Sequence, residues 1–410
     1  MDPVTGLPID FGVNVWNDWG PARAFFDRMN VSVSDPVRAA LTSRYIDFKT
    51  GLPVNYTPAS FPFGIIPALQ RFYDAVLPYE QYLLPGYFNF PAPNAIPEDL
   101  LLPFHKFVQK YNLEDCMNIV FETTGLGTGD MMNSLTIWVL ATFNTPMLES
   151  FLGLAGTFTP TSRRNIEIYE AVATRLSTDV LYKSTVIQTI RTATGVSLWV
   201  KNSLTNQITL VHARKLLISI EPTVDSNLAP FALDHAERSV FSKFDYSVVQ
   251  AGLVSHPALP VQYSLVNIPG SAVRPNGTTD YTVLPKPTFN IRFDSYGGDS
   301  QLFRVMLVGK KTETTAGAQK RVKDNFNAMV AQGTLPTIPG SGPLVIHDWS
   351  NHGPMHARVS AKELKKGFLQ KLYALQGRRS TWWTGGAFSA NFQAVVWAFD
   401  DVLLPQLVAA

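Results

Sequence analysis

Arg378-Arg379-Ser380-Thr381-Trp382-Trp383-Thr384-Gly385-Gly386-Ala387-Phe388-Ser389 is the most informative run in this 410-residue chain. It reads as a strand and a glycine pair, and it leads into an amphipathic helix with Phe392, Val395, Val396, Phe399 and Leu403 on one face. The helix is expected to end at Leu404-Pro405, where proline cannot continue it. A strand, a glycine pair and a helix start in that order gather bare backbone N–H groups at a positive helix end. That suits a phosphate or another electron-rich group. Taken alone, the glycine pair reads first as a tight packing turn, since ordinary strand-to-helix turns also use glycine.

Upstream, four short runs rich in Val, Ile and Leu, at Thr185 to Arg191, Val196 to Val200, Gln207 to Val211 and Leu216 to Ile220, read as a strand meander ending in one apolar strand. A second group of strands is read at Asp245 to Ser255, Val261 to Val266, Phe289 to Phe293 and Leu302 to Val308. Residues 61 to 176 are predominantly helical in pattern. Pro97, Glu98 and Asp99 suit a first turn, and Leu100, Leu101, Phe104, Phe107, Val108 and Tyr111 recur at helical spacing. Proline and glycine are dense from Ile268 to Pro287 and from Leu335 to Pro343, so both stretches read as loops. The first eighty residues read as hairpins and short helices, with Asp-Pro-Val-Thr-Gly at 2–6 echoed by Thr50-Gly51.

Lys plus Arg number 34 against 32 Asp plus Glu, a net charge of +2, which argues against a nucleic-acid binder built on a basic face. With 46% hydrophobic and 16% charged residues, the composition is that of a globular chain and not of a disordered one. No apolar run reaches the roughly 18 residues of a spanning helix. The single cysteine, Cys116, excludes an internal disulfide and a thiolate cluster within one chain, and it reads as a buried, inert thiol. The start of the chain shows no secretory signal pattern. Three glycosylation sequons occur, at Asn30, Asn55 and Asn276.

Several motifs fail on inspection. His347, His352 and His356 cluster, and the last two imitate the spacing of a zinc-binding helix face, but Gly353-Pro354 breaks such a helix. They read as hydrogen-bonded loop histidines, with a metal hydrolase as the weaker alternative. Gly125-Leu126-Gly127-Thr128-Gly129 has its third glycine misplaced for a dinucleotide loop and follows a helix pattern, so it reads as a helix connection. No Gly-x-Ser-x-Gly elbow or Walker loop is present.

The order of these pieces resembles the flavin-containing amine oxidase superfamily, and within it the fungal beta-cyclopiazonate dehydrogenase-like branch of FAD-dependent oxidoreductases. The matching stretches are Asp2 to Gly6 with Ile9 to Val13, Ile96 to Leu101, Tyr111 to Glu114, Asp179 to Leu181, Val186 to Arg191, Gly195-Val196, Ala213 to Lys215 and Trp383 to Ala387. The resemblance implies an α/β fold, α+β in part. In it an FAD/NAD(P)-binding Rossmann-like domain, N-terminally incomplete, is interleaved with a substrate domain of helices and an antiparallel sheet. On this basis residues 1–60, 177–230 and 343–410 are expected on the FAD side, and residues 61–176 and 231–342 on the substrate side.

The resemblance also implies roles. Val186 stands where the backbone contacts the flavin adenine, and Gly385, Gly386 and Ala387 stand where the C-terminal loop approaches the cofactor. Gln393 opens the helix aimed at the flavin ring, and Gly12 and Val13 pass its other side. Trp349, His352, Trp382 and Trp383 are candidates for the substrate wall, with ordinary core packing as their alternative. The family's opening strand, Gly-x-Gly-x-x-Gly turn, helix and second strand have no counterpart after Met1, so the sequence reading expects FAD to be held weakly. The expected activity is hydride removal from a small organic substrate. A non-redox protein that binds apolar ligands is the other reading.

Overall fold

A computed structural model of the chain describes residues 1–37 and 41–410. The apolar run Leu216–Ile218 pairs in parallel with Thr381–Trp383, placing Trp382 opposite Leu217. This joins the end of the meander to the strand that carries the glycine pair. The other edge of Thr381–Trp383 is occupied by a side chain: Gln376 accepts from the Trp383 N–H (2.8 Å) and donates to the Trp383 carbonyl (2.7 Å). The meander forms an antiparallel three-stranded sheet of Ser184–Arg191, Val196–Asn202 and Ile208–Ala213.

The largest sheet has seven strands in the order Val345–Arg358, Asp245–Ser255, Phe303–Lys310, Phe289–Ser295, Tyr263–Asn267, Thr42–Asp47, Leu52–Pro53. All neighbours are antiparallel except Tyr263–Asn267 with Thr42–Asp47. Alternation along the strands divides two cores. Val305 and Leu307 face the helix Thr315–Ala331 through Ala318, Val322, Phe326 and Met329, whereas Met306 and Val308 face the helical block. That block contains Ile65–Val76, Phe104–Tyr111, Met117–Thr123, Thr136–Thr142 and Thr145–Leu152, packed around Phe72, Phe104, Phe107 and Phe143.

A third cluster forms where Trp16 and Phe26 meet Phe158 and Trp397 of the C-terminal helix Gln393–Ala409. Trp16 stacks on Trp397 with ring centres 5.3 Å apart. Among the described residues no helix is long and apolar enough to cross a membrane.

Four expectations change. Residues 42–53 and 345–358, placed on the FAD side by sequence, hydrogen-bond into the seven-stranded sheet. The histidine stretch is a strand, Val345–Arg358, and not a loop. It lies at the sheet edge, where Pro354 need not donate to a neighbour and register shifts absorb Gly353-Pro354. The C-terminal helix runs through Pro405 to Ala409, and Lys215 Nζ donates to the Leu407 carbonyl (2.5 Å) in its last turn. The helical block is interrupted by the strand Thr157–Pro160, which pairs with Trp16–Asn17.

Candidate functional site

Ligands of parallel sheets sit beyond the carboxyl ends of the strands, and here that end is the Thr384 to Asn391 loop. Thr384 N–H extends the pairing by donating to the Ile218 carbonyl (2.9 Å), after which Gly385 turns with φ 99°. A side chain at Gly385 would reach 3.1 Å from the Ser219 carbonyl oxygen. At Gly386 a Cβ would overlap Asn391 Oδ1 and stand 3.1 Å from Glu221 Oε1. The bare backbone therefore lets two polar side chains close over it.

The loop is firmly pinned. Thr384 Oγ1 donates to Asp400, Tyr373 OH donates to the Phe388 carbonyl, and Ser389 Oγ donates to the Pro85 carbonyl (2.5 Å). The helix Gln393–Ala409 then begins with no side chain capping its N-terminus and no acidic residue in its first turn. Its amide dipoles are left for another group.

Gly12 and Val13 reach this helix start through the helix Ile166–Leu176. Asn165 Nδ2 donates to the Val13 carbonyl (2.6 Å), and Tyr169 OH contacts Gln393 Oε1 at 3.4 Å. Val13 is 58% exposed, so this side is open. His352 Nε2 lies 3.7 Å from where a Gly12 side chain would begin. The structure thus brings Gly12, Val13 and His352 together, and links them to Gln393.

The remaining candidates lie elsewhere. Val186 is half-buried in the meander opposite Val200, packed against the main core. Trp382 and Trp383 are core residues: Trp383 is buried against Phe241 and Phe388, and Trp382 lies under Lys215. Trp349 covers Gly252 on the sheet and donates from Nε1 to Gln250 Oε1 (2.7 Å). For these three tryptophans the packing alternative describes their surroundings, because large rings fill the space that glycine or strand pairing leaves. His347 bonds Ser255 Oγ (2.7 Å) and His356 packs on Gly127, so the three histidines go to three separate partners. Among the described residues no group of three or more His, Cys, Asp or Glu side chains is placed to hold a metal. Cys116 is buried, and burial pushes its thiol up to about 12.

Sequence reasoning passed over Glu221, Tyr246 and Asn391. Glu221 follows the strand Leu216–Ile218, and its Oε2 is shielded from solvent with no hydrogen-bond partner. Burial raises its carboxyl to about 7. The Tyr246 hydroxyl is likewise buried and unpartnered, and burial followed by the Glu221 charge raises it further. His356 takes a left-handed backbone (φ 57°) inside its strand, and its ring presses so closely on Gly127 that no side chain fits there. Its Nδ1 is shielded and unpartnered, and burial lowers the ring to about 3, so it is neutral at physiological pH. His356, Arg358, Gly386 and Asn391 line one small cavity of about 20 Å³ with Tyr87 and Trp138. The one forward-readable sign was a carboxylate following an apolar run, just before Pro222.

Comparison with known proteins fits this geometry. No family model matches the chain. It is 30% identical over 409 residues to the FAD-dependent oxidoreductase pigF of Monascus ruber, covering all of this chain and 83% of that protein. It is 28% identical over 411 residues to the beta-cyclopiazonate dehydrogenase of Aspergillus oryzae, covering 98% and 83%. Among solved structures, a fatty acid isomerase from P. acnes superposes with a TM-score of 0.72 at 17% identity, covering 98% of this chain and 88% of that one. Cyclohexylamine oxidase from Brevibacterium oxydans superposes with a TM-score of 0.56 at 14% identity, covering 100% and 90%. The fold is that of the flavin-containing amine oxidases. The chain belongs to the FAD-dependent oxidoreductase family that includes beta-cyclopiazonate dehydrogenase.

Proposed function

We propose that this chain binds FAD at the carboxyl end of the parallel strand pair and oxidises a small organic substrate. The observation that carries the reading is the uncapped start of the Gln393–Ala409 helix beside the bare Gly385-Gly386 backbone. Glu221 Oε2 and His356 Nδ1, on side chains that approach the same loop, are shielded and have no hydrogen-bond partner. The residues present fit the cofactor on those grounds. Gly12, Val13, Gly385, Gly386, Ala387 and the first-turn amides at Gln393 would hold it, with Val186 contributing from the meander.

FAD, when bound, supplies a hydride acceptor for a carbon next to nitrogen or for another activated C–H. The chain's own part is electrostatic and geometric. The positive helix end favours negative charge developing beside it, and the pinned loop holds that field in a fixed direction. The relatives named above from Monascus and Aspergillus are fungal proteins, and we assign the reaction to fungal secondary metabolism. In this reading the FAD side comprises the meander, the parallel pair and the C-terminal helix, and the seven-stranded sheet with the helical block forms the substrate side. The test is the visible absorption spectrum of the purified chain, followed by titration with FAD. Flavin bands that travel with the protein, or saturable quenching of added FAD, support the reading. No bound flavin and no quenching overturn it.

A further inference from the structure

A cavity of about 350 Å³ opens on the face of the seven-stranded sheet that carries the helix Thr315–Ala331, the face turned away from the helical block. Its volume falls within the range of roughly 300–1,000 Å³ usual for small-molecule pockets. One wall is the turn after the strand Asp245–Ser255, where Leu259 and Pro260 face the space, and the other is Leu335 with Pro336 just beyond the helix. Both walls are fixed by backbone bonds. Leu259 N–H donates to the His256 carbonyl (3.0 Å), Tyr263 N–H to the Pro260 carbonyl (3.0 Å) and Leu335 N–H to the Met329 carbonyl (3.1 Å). A ligand therefore meets preformed apolar surfaces and orders little on entering.

The charge of the cavity is one-sided. Among the described residues Arg44 is the only ionisable side chain that lines it, and no hydrogen bond or ion pair engages its guanidinium. Arg44 stands opposite Leu265 in the parallel pairing of Thr42–Asp47 with Tyr263–Asn267, and its guanidinium carbon lies 3.5 Å from the centre of the Tyr263 ring. Stacking on that ring holds the planar fork in place and leaves its N–H edge for another group. Gln262 and Gln301 add amides at the same opening, Gln301 giving one N–H to the Asp299 carbonyl (3.4 Å). An ammonium ligand would meet like charge here, and a neutral apolar one would leave the fork unused. A carboxylate matches the fork with two parallel bonds, and an apolar body behind it matches the walls. We propose that this cavity binds a small carboxylic acid with an apolar body, its carboxylate on Arg44 and its body between Pro260 and Leu335. The site is independent of the FAD reading above.

The experiment is isothermal titration calorimetry of the full chain with octanoate, octanol, octylammonium and inorganic phosphate. Wild type, R44Q, R44K and Q262E are compared, with melting temperatures recorded for each. The expected result is saturable octanoate binding by wild type, tighter than that of the other three probes. Arg44 is exposed to water at the mouth, so R44Q should lose roughly 5- to 20-fold in octanoate affinity. R44K keeps the charge without the fork and should lie between the two. Q262E sets a carboxylate at the opening and should also weaken octanoate, which keeps the inference open to refutation if R44Q does not fold. Absence of saturable octanoate binding, or equal affinity in wild type, R44Q and Q262E, overturns the inference. Octanol binding as tightly as octanoate overturns it by making the cavity an apolar cleft, and phosphate doing so overturns it by making Arg44 a simple anion contact. Displacement of octanoate by FAD overturns it as well, since the acid would then sit at the Gly385-Gly386 loop. Octanoate binding by a chain that takes up no FAD would remove the FAD reading and leave this inference standing.

Discussion

The two ends of the parallel strand pair handle buried charge in opposite ways. At the amino end, Arg191 and Glu237 are both fully buried and joined by two bonds of 2.8 and 2.7 Å. Arg191 also donates to the Phe231 carbonyl and to Thr381 Oγ1, and Glu237 accepts from the Asp234 N–H as half of a capping box. Every strong donor there has an acceptor. At the carboxyl end, Glu221 Oε2 and His356 Nδ1, on side chains beside Gly386, are shielded from water and have no hydrogen-bond partner. A satisfied buried pair fixes the strands in place, whereas a shielded group without a partner carries an uncompensated desolvation cost in the ligand-free chain.

The sharpest way to break the comparison is at the sealed end. E237Q leaves the Arg191 guanidinium buried without a counter-charge, and a loss of about 3–5 kcal/mol is expected in urea unfolding. A loss below about 1 kcal/mol would place Glu237 among ordinary surface charges.

At the open end the sign reverses. The Glu221 carboxyl is raised from 4.5 to about 7 in the folded chain, so the unfolded state ionises first and stability falls as pH rises from 4.5 through 7. E221Q removes that penalty. The ligand-free variant should be more stable than wild type by about 1–3 kcal/mol at pH 8, with the gain gone by about pH 4. Thermal melts across that range check it, and a variant less stable at pH 8 contradicts it.

His356 works on the other limb. Its ring is lowered from 6.5 to about 3, so the unfolded state takes up the proton first and stability falls as pH drops below 6.5. Asparagine tolerates the left-handed backbone, and H356N should flatten the acid limb by about 1–2 kcal/mol at pH 5. An unchanged acid limb would show that the ring is not the group responsible. The smallest effect belongs to Asp234, which caps the helix His235–Phe241: D234A should cost about 1 kcal/mol in denaturant midpoint experiments, with no change in FAD affinity.

The sequence disclosed the strand, glycine pair and helix at the C-terminus because each leaves a local mark: aromatic strand residues, a bare turn, and an apolar stripe in which Val395, Phe399 and Leu403 are buried. The helix Thr315–Ala331 went unread although Ala318, Val322, Phe326 and Met329 recur at helical spacing. Only one narrow stripe of it is buried, and Gly317 with a run of charged residues masks the period. The edge strand Val345–Arg358 was hidden by Gly353-Pro354, whose cost depends on edge position and so on tertiary structure. Glu221, Tyr246 and His356 carry no mutual spacing at all. Glu221 lies beyond the end of the strand Leu216–Ile218, Tyr246 near the start of Asp245–Ser255 and His356 in the edge strand Val345–Arg358, and no local pattern relates the three.

The central claim is that the Gly385-Gly386 loop is where FAD is held. It is tested most directly by the FAD dissociation constants of wild type and G386A, measured by fluorescence titration alongside their melting temperatures. A Cβ at Gly386 displaces Asn391 and crowds Glu221, so the account expects saturable FAD binding in wild type and a loss of about tenfold or more in a variant that still unfolds cooperatively. Equal FAD affinity in the two proteins would contradict it.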